Sequence, residues 1–357
     1  MAKNNKLNTT TPAATTDEPT NEVSATSGSN ETASVPTTDI PSRKNVQGIQ
    51  KKKFSLEDFK KAEKRVTYKN KPDRWIPVDK AFQDVTQLKG VLESQSYVLF
   101  GYESSGKSTF MLSAAINAQK MGVLPVFLIT EQKHRWSHAI EMGFEIEEVV
   151  DEETGNIGYE GFFLHYDRNN FNSVEDLAKL IHGLIDKQEA GKLPYNLLFL
   201  IDSIGKLNCD KGIKNENQFN PQWIASSLAH EFGASVIPRI NMSISEKSEY
   251  TNTLCTLVQP WTELPSTYGQ LPKLTAKGGK SLPQDSAIVI KFGSDTNSGT
   301  SKMKVKKAGH EIVWGVKTRV EIEKNHITNI TTRGKLIITK DGFITLDEEK
   351  DSDSNFK

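Results

Sequence analysis

Gly101-Tyr102-Glu103-Ser104-Ser105-Gly106-Lys107-Ser108-Thr109 has the spacing G-x-x-x-x-G-K-S. Before it, Tyr97-Val98-Leu99-Phe100 reads as a short buried strand, and after it Phe110 to Met121 reads as a helix. A loop between a strand and a helix N-terminus turns several backbone N–H groups toward one point, which suits a polyphosphate. Gly101 and Gly106 allow the tight backbone path. In such loops the lysine, here Lys107, reaches the β- and γ-phosphates, and the hydroxyl of Ser108 ligates magnesium. The stretch from Gly101 to Thr109 is therefore expected to bind ATP or a close relative together with Mg2+.

Outward from this loop, short apolar strands alternate with helices. Val126 to Ile129 ends at Thr130-Glu131, and a helix follows to about Met142. Phe162 to Tyr166 comes next, then a helix opened by Ser173-Val174-Glu175-Asp176, a capping-box-like start. Asn196 to Ile201 ends at Asp202, and a helix from about Trp223 precedes Leu254 to Val258. Continuous apolar strands separated by helices predict an α/β fold with a mostly parallel central sheet covered by helices on both faces. Ligands of such sheets sit at the C-terminal strand ends, where Glu131, Asp202 and Gln259 fall. Beyond Ala287 the pattern becomes strand-rich: Ala287 to Phe292, Arg319 to Glu323, Lys335 to Ile338 and Phe343 to Leu346. These are expected to extend the same sheet as a β-meander.

The 357 residues suffice for one large α/β domain with tails. Lys and Arg balance Asp and Glu at 45 each, so any basic binding surface must be local. Two cysteines, Cys209 and Cys255, form no C-x-x-C pair, which argues against a zinc site or disulfide framework and suits a reducing, cytoplasmic setting. No apolar run approaches the roughly 20 residues of a membrane span, so no membrane partner is expected. Residues 1–50, rich in Thr, Asn, Ser, Ala and Pro, read as a disordered arm, either an interaction arm or a solvated tail. Residues 51–74 hold a short helical segment with Leu56, Phe59, Ala62 and Val66 on one stripe, which either packs on its own domain or reaches a neighbouring subunit. The core is expected over 75–346, followed by an acidic tail over 347–357.

The apolar run ending at Asp202 has the form of a Walker B strand, whose carboxylate holds the magnesium shell through Ser108 or water. Hydrolysis of a γ-phosphate needs a group that orients or deprotonates the attacking water; Glu131 is placed for that role. Gln259, at the end of a later strand, is placed to contact the γ-phosphate. The long loop from Pro260 to Lys280 interleaves Trp261 and Tyr268 with Lys273, Lys277 and Lys280, a composition suited to single-stranded nucleic acid, where rings stack on bases and cations follow phosphates. A second loop, Lys206 to Gln222, adds Lys206, Lys211 and Lys214 at the same end of the sheet. His134 and His138 lie four apart but have no third ligand in view, and Lys302 to Lys307 reads as a solvated hairpin.

Taken together, these residues resemble the RecA family of homologous-recombination ATPases, over about Trp75 to Leu346. The phosphate loop is similar to the family's Gly-Pro-Glu-Ser-Ser-Gly-Lys-Thr-Thr. Phe127 to Glu131 resembles the strand ending in the family's catalytic glutamate, and Asp202-Ser203 its Walker B ending. Asn252-Thr253-Leu254 resembles the start of the strand before the second DNA-binding loop, which Gly278-Gly279 closes. Thr318-Arg319-Val320 through Lys324-Asn325-His326 is similar to a strand ending in Lys-Asn-Lys, whose two lysines reach the ATP of the adjacent filament subunit. Lys324 keeps the first of these positions and His326 replaces the second, so cross-subunit stimulation is expected to depend on pH. His138 falls where the family has an adenine-stacking tyrosine, and Gln259-Pro260 replaces its Asn-Gln pair. The bacterial C-terminal domain is missing, which is closer to a bacteriophage-encoded member.

The resemblance implies an ATP hydrolase that forms helical filaments on single-stranded DNA and promotes pairing and strand exchange with homologous duplex DNA in recombination and repair. Two other readings use the same core: a hexameric DNA helicase, and a non-filamenting regulatory ATPase or recombination mediator.

Overall fold

Along each central strand, successive side chains enter two different hydrophobic cores. Tyr97 and Leu99 point to one, Val98 and Phe100 to the other; Leu198 and Leu200 divide in the same way from Leu197, Phe199 and Ile201. A period of two with both faces buried is what a parallel sheet sandwiched by helices requires.

The computed structural model describes residues 69–131, 135–150, 152, 157–263, 273–277, 280–293, 300–307 and 309–347. The expected N-terminal arm, most of the 51–74 segment, His134, Tyr268, Gly278-Gly279 and all but the first residue of the acidic tail lie outside them.

In chain order the strands are β1 (Trp75–Pro77), β2 (Gly90–Leu92), β3 (Ser96–Gly101), β4 (Val123–Ile129), β5 (Ile146–Val150), β6 (Ile157–Gly161), β7 (Leu164–Tyr166) and β8 (Asn196–Asp202). They continue as β9 (Asn252–Val258), β10 (Pro260–Glu263), β11 (Lys273–Ala276), β12 (Ile288–Phe292), β13 (Ser301–Lys307), β14 (His310–Asn325), β15 (Arg333–Thr339) and β16 (Gly342–Ile344). Ten of them form one mixed sheet in the order β16-β15-β14-β12-β3-β9-β8-β4-β7, with β13 added alongside β14. From β12 to β7 all neighbours are parallel; β14, β15 and β16 run as the expected antiparallel meander. The α/β expectation thus holds.

One face carries the helix Lys107–Lys120, whose Phe110, Ala114 and Ala118 are fully buried, and the short helix Lys80–Thr86. The other carries Val174–Glu189, where Val174, Leu177, Ile181 and Leu184 make the apolar stripe. The Ser173 hydroxyl accepts from the Asp176 N–H, the capping bond that the sequence predicts. A long helical stretch packs beside it, helical over Pro221–Leu228, π-helical over Ala229–Val236 and α-helical again over Ile237–Met242.

Three expectations need correction. The Pro260 to Lys280 loop is not irregular at its base: β10 and β11 pair antiparallel, Trp261 opposite Thr275. The Lys206 to Gln222 loop contains a helix, Asp210–Lys214, and its last residues open the long helix. The strand expected at Arg319 to Glu323 lies in the second half of a 16-residue strand, β14, whose first half pairs with β13 as a hairpin.

Candidate functional site

The turn after β3 depends on its two glycines. Gly101 has φ 146° and a Cβ there would sit 2.0 Å from the Phe292 carbonyl oxygen; Gly106 has φ 105° and would place one 2.9 Å from the Phe343 ring. Between them Ser104 also adopts positive φ, 55°. Two bonds brace the loop: the Ser105 hydroxyl donates to the Tyr102 carbonyl at 2.7 Å, and buried Thr318 donates to the Ser105 carbonyl at 3.0 Å. The Lys107–Lys120 helix starts with no side-chain cap, so its first N–H groups are left for an anion. The Lys107 ammonium donates to the Gly101 and Tyr102 carbonyls at 2.7 and 2.5 Å, folded over the loop it belongs to.

Parallel pairing of β4 with β8, Ile129 opposite Asp202, brings the next groups in. The Ser108 hydroxyl lies 3.4 Å from an Asp202 carboxylate oxygen. Glu131 Oε1 accepts from the Ser203 hydroxyl at 2.9 Å and from the Gln259 amide at 3.2 Å. Thr130 locks the two strand ends, donating to the Ser203 carbonyl at 2.7 Å and accepting from the Ser203 N–H at 3.0 Å. Ser108, Glu131, Asp202, Ser203 and Gln259 line an open cleft of about 1030 Å³ with most of the other loop residues, His138 and Lys206. His138 presents its ring there from the helix Trp136–Glu141, with Nδ1 4.0 Å from Glu141.

Burial draws the Lys107 ammonium down to about 8, against the pull of Asp202, Glu103 and Glu131. Burial pushes Asp202 up to about 6; the Glu131 carboxylate adds to this, while Lys107 and the Ser108 hydroxyl oppose it. A half-buried carboxylate beside a second carboxylate and a hydroxyl offers oxygen donors that suit a hard cation. Among the described residues no group of three or more His, Cys, Asp and Glu side chains forms a metal cage. Oxygen donors such as Ser108 and Asp202 have the chemistry of a Mg2+ site, where one or two protein oxygens bind and phosphate and water supply the rest.

The raised Asp202 value has a consequence for stability. An acid whose folded-state pKa exceeds its unfolded value of 3.8 holds its proton more tightly when folded, so stability falls as pH rises from 3.8 to about 6 and stays low above that. The displacement corresponds to a destabilisation of up to about 3 kcal/mol at pH 7. Asp202→Asn is expected to raise the thermal midpoint of the nucleotide-free protein at pH 7, with a gain that shrinks as pH is lowered toward 4. Thermal melts of both proteins across this range check it, and a lower midpoint at pH 7 contradicts it.

Some of the lysines and aromatics of the two loops meet elsewhere. A second groove, about 1040 Å³, is lined by Phe219, Gln222, Trp261, Lys277 and Lys280, together with apolar Phe100, Ile224, Leu228 and Leu274. Trp261 is 57% exposed. The Lys277 ammonium lies 5.0 Å from the Phe219 ring centroid, and that of Lys211 lies 4.3 Å from the Trp223 ring. Lys206 lines the cleft of the Gly101 to Thr109 loop rather than this groove, and Lys214 ends the helix Asp210–Lys214. Lys273 lies on β11. Lys324 and His326 line the groove, not the cleft of their own chain; Lys324 donates to the Pro283, Gln284 and Ser286 carbonyls.

Sequence reasoning missed Ser203 as a partner of Glu131, and it missed Arg168. The Arg168 guanidinium donates to the Thr130, Asn172 and Lys206 carbonyls, tying the strand end beside Glu131 to the start of the first lysine loop. Nothing in the local sequence signals this, because the three carbonyls come from separate segments.

No protein-family model matches the chain, and no curated protein matches it.

Proposed function

We propose that this chain is a RecA-like P-loop ATPase, a DNA-dependent ATP hydrolase that assembles on single-stranded DNA as a helical homo-oligomer and pairs it with homologous duplex DNA. One residue carries the reading by joining the two clefts. The side chain of Gln259 bonds Glu131 in the first, and its carbonyl accepts the Lys277 N–H at 2.8 Å in the second. A ligand that moves either end moves the other.

In this reading the N–H groups of Gly101 to Thr109 cradle the phosphates of ATP and Lys107 leaves its two carbonyls for the β- and γ-oxygens. Ser108 and Asp202 would hold Mg2+, which neutralises phosphate charge when bound. Glu131, fixed by Ser203 and Gln259, orients a water and takes its proton as the oxygen attacks the γ-phosphorus and the bond to ADP breaks. His138 flanks the adenine. His326, outside its own cleft, and Lys324, on leaving the three carbonyls it bonds, would serve the nucleotide of a neighbouring subunit.

Lys277 and Lys280 are the cations that the Pro260 to Lys280 segment brings to the second groove, beside Lys324. Replacing both with Ala is expected to weaken binding to single-stranded DNA and flatten the salt dependence, by about 1.4 in the log–log slope for two lost phosphate contacts. Fluorescence titration of labelled oligonucleotides at several salt concentrations measures this. Unchanged affinity and slope would remove the groove as the DNA contact.

A further inference from the structure

Two β-ribbons of this chain have no role in either cleft. The first, β5–β6, leads directly into β7, the strand that closes one end of the large sheet. On one face it sets Glu147 directly opposite Glu160, both exposed, with Val149 next along the strand. Like charges facing across a strand pair destabilise the ribbon that carries them. Val149, Val150 and Ile157 are also exposed, at 38%, 56% and 58%.

The second ribbon, β13–β14, belongs to the other side of the sheet, beyond β12. Alternation puts Lys302, Lys304 and Lys306 on one face, and all three are exposed. Lys304 pairs across the ribbon with Val313 and bonds Glu311. Ile312 and Val313 are exposed at 41% and 46%. One ribbon is thus acidic with bare aliphatic residues, the other basic with bare aliphatic residues, and they lie toward opposite ends of one sheet.

We propose that these two faces bind each other between copies of the chain: the Glu147–Glu160 face of one molecule receives the Lys302–Lys304–Lys306 face of the next. Partner lysines relieve the facing carboxylates, and Val149 and Val313 supply the apolar area. A contact between different patches is heterologous. Because the two ribbons lie toward opposite ends of the sheet, the contact repeats, closing into a ring or running on as a helical filament. This deepens the proposed function, which requires self-assembly, by naming the surfaces that perform it. Exposed ion pairs are screened by salt, so the assembly weakens as ionic strength rises.

Charge exchange tests it. One full-length variant carries Lys302→Glu, Lys304→Glu and Lys306→Glu; another carries Glu147→Lys and Glu160→Lys. Sedimentation velocity with ATP analogue and without DNA reads the size distribution. Each variant alone is expected to self-associate at least tenfold more weakly than the parent. An equimolar mixture is expected to recover long assemblies, because acidic and basic ribbons then alternate again; a chain carrying both sets should also recover. Recovery excludes misfolding as the cause of the losses. Variants that assemble like the parent, a mixture that fails to recover, or a parent that stays monomeric overturns the contact. ATP turnover of the parent with and without single-stranded DNA is read separately. Stimulated turnover with unaltered variant assembly overturns the ribbon contact and leaves the ATPase reading standing. Charge-dependent assembly with turnover indifferent to DNA upholds the contact and overturns that reading.

Discussion

Glu131→Gln is expected to lower ATP turnover by about 10²–10⁴-fold while leaving nucleotide affinity nearly unchanged. The amide keeps the size of the carboxylate and can still meet the Ser203 hydroxyl and the Gln259 amide, which hold Oε1 at 2.9 and 3.2 Å. What it loses is the ability to accept a proton from the attacking water. In the proposed function the phosphate contacts come from the Gly101 to Thr109 backbone and Lys107, so binding has no reason to fall. Steady-state turnover beside equilibrium binding of a fluorescent ATP analogue separates the two quantities. Turnover within threefold of the parent would remove Glu131 from the role of base, and a parallel loss of binding would make it a structural residue.

Gly101→Ala is expected to destabilise the fold by more than about 4 kcal/mol, placing it among the severe single substitutions. Two costs add. The backbone there has φ 146°, a region that residues with a Cβ avoid. The new methyl would also lie 2.0 Å from the Phe292 carbonyl oxygen, and that neighbour is backbone of β12, paired in parallel with β3. It cannot swing aside as a side-chain tip can without parting two central strands. Denaturant unfolding of parent and variant checks the magnitude, and a loss below about 1 kcal/mol would show that β12 yields easily. Gly122 is an internal control, since it too has positive φ, 70°, but nothing lies within 4 Å of its Cβ position. Its Ala variant should lose only the backbone contribution.

The central strands were legible because both of their faces are buried. Continuous apolar runs such as Asn196 to Ile201 can come from little else when turn signals and helices bound them, and β8 and β9 lie within a residue or two of where the sequence places them. The ribbons were not. In β5 the run Ile146-Glu147-Glu148-Val149-Val150 breaks the alternation of a half-buried strand, because most of it is exposed. The first half of β14 is hidden for the same reason, its residues from His310 to Val313 being exposed.

The long helix was read only from Trp223, and Gly233 and Pro238 look like breakers within it. Its chain nevertheless continues through the π-helical segment Ala229–Val236, which sits just ahead of Pro238, a residue with no N–H to donate. At Gly233 a Cβ would meet an Asp285 carboxylate oxygen at 2.4 Å, the tip of a side chain that packs against the helix there.

At the site, Gly101 to Thr109, Glu131, Asp202 and Gln259 were found from their positions at strand ends. Ser203 and Arg168 depend on neighbours far along the chain. Ser203 reaches Glu131 only because β4 and β8 adjoin in one particular register. A serine after a strand-end aspartate carries no such information by itself.

The central claim is that a DNA-binding groove and a nucleotide cleft are coupled through Gln259. Its most direct test is ATP turnover by the full-length chain with and without single-stranded DNA, with Lys107→Ala as the blank. The account predicts turnover that rises at least tenfold on adding single strands and a blank that stays at background in both conditions. Turnover above the blank that ignores DNA would contradict it, and would reassign the groove of Trp261, Lys277 and Lys280 to another partner.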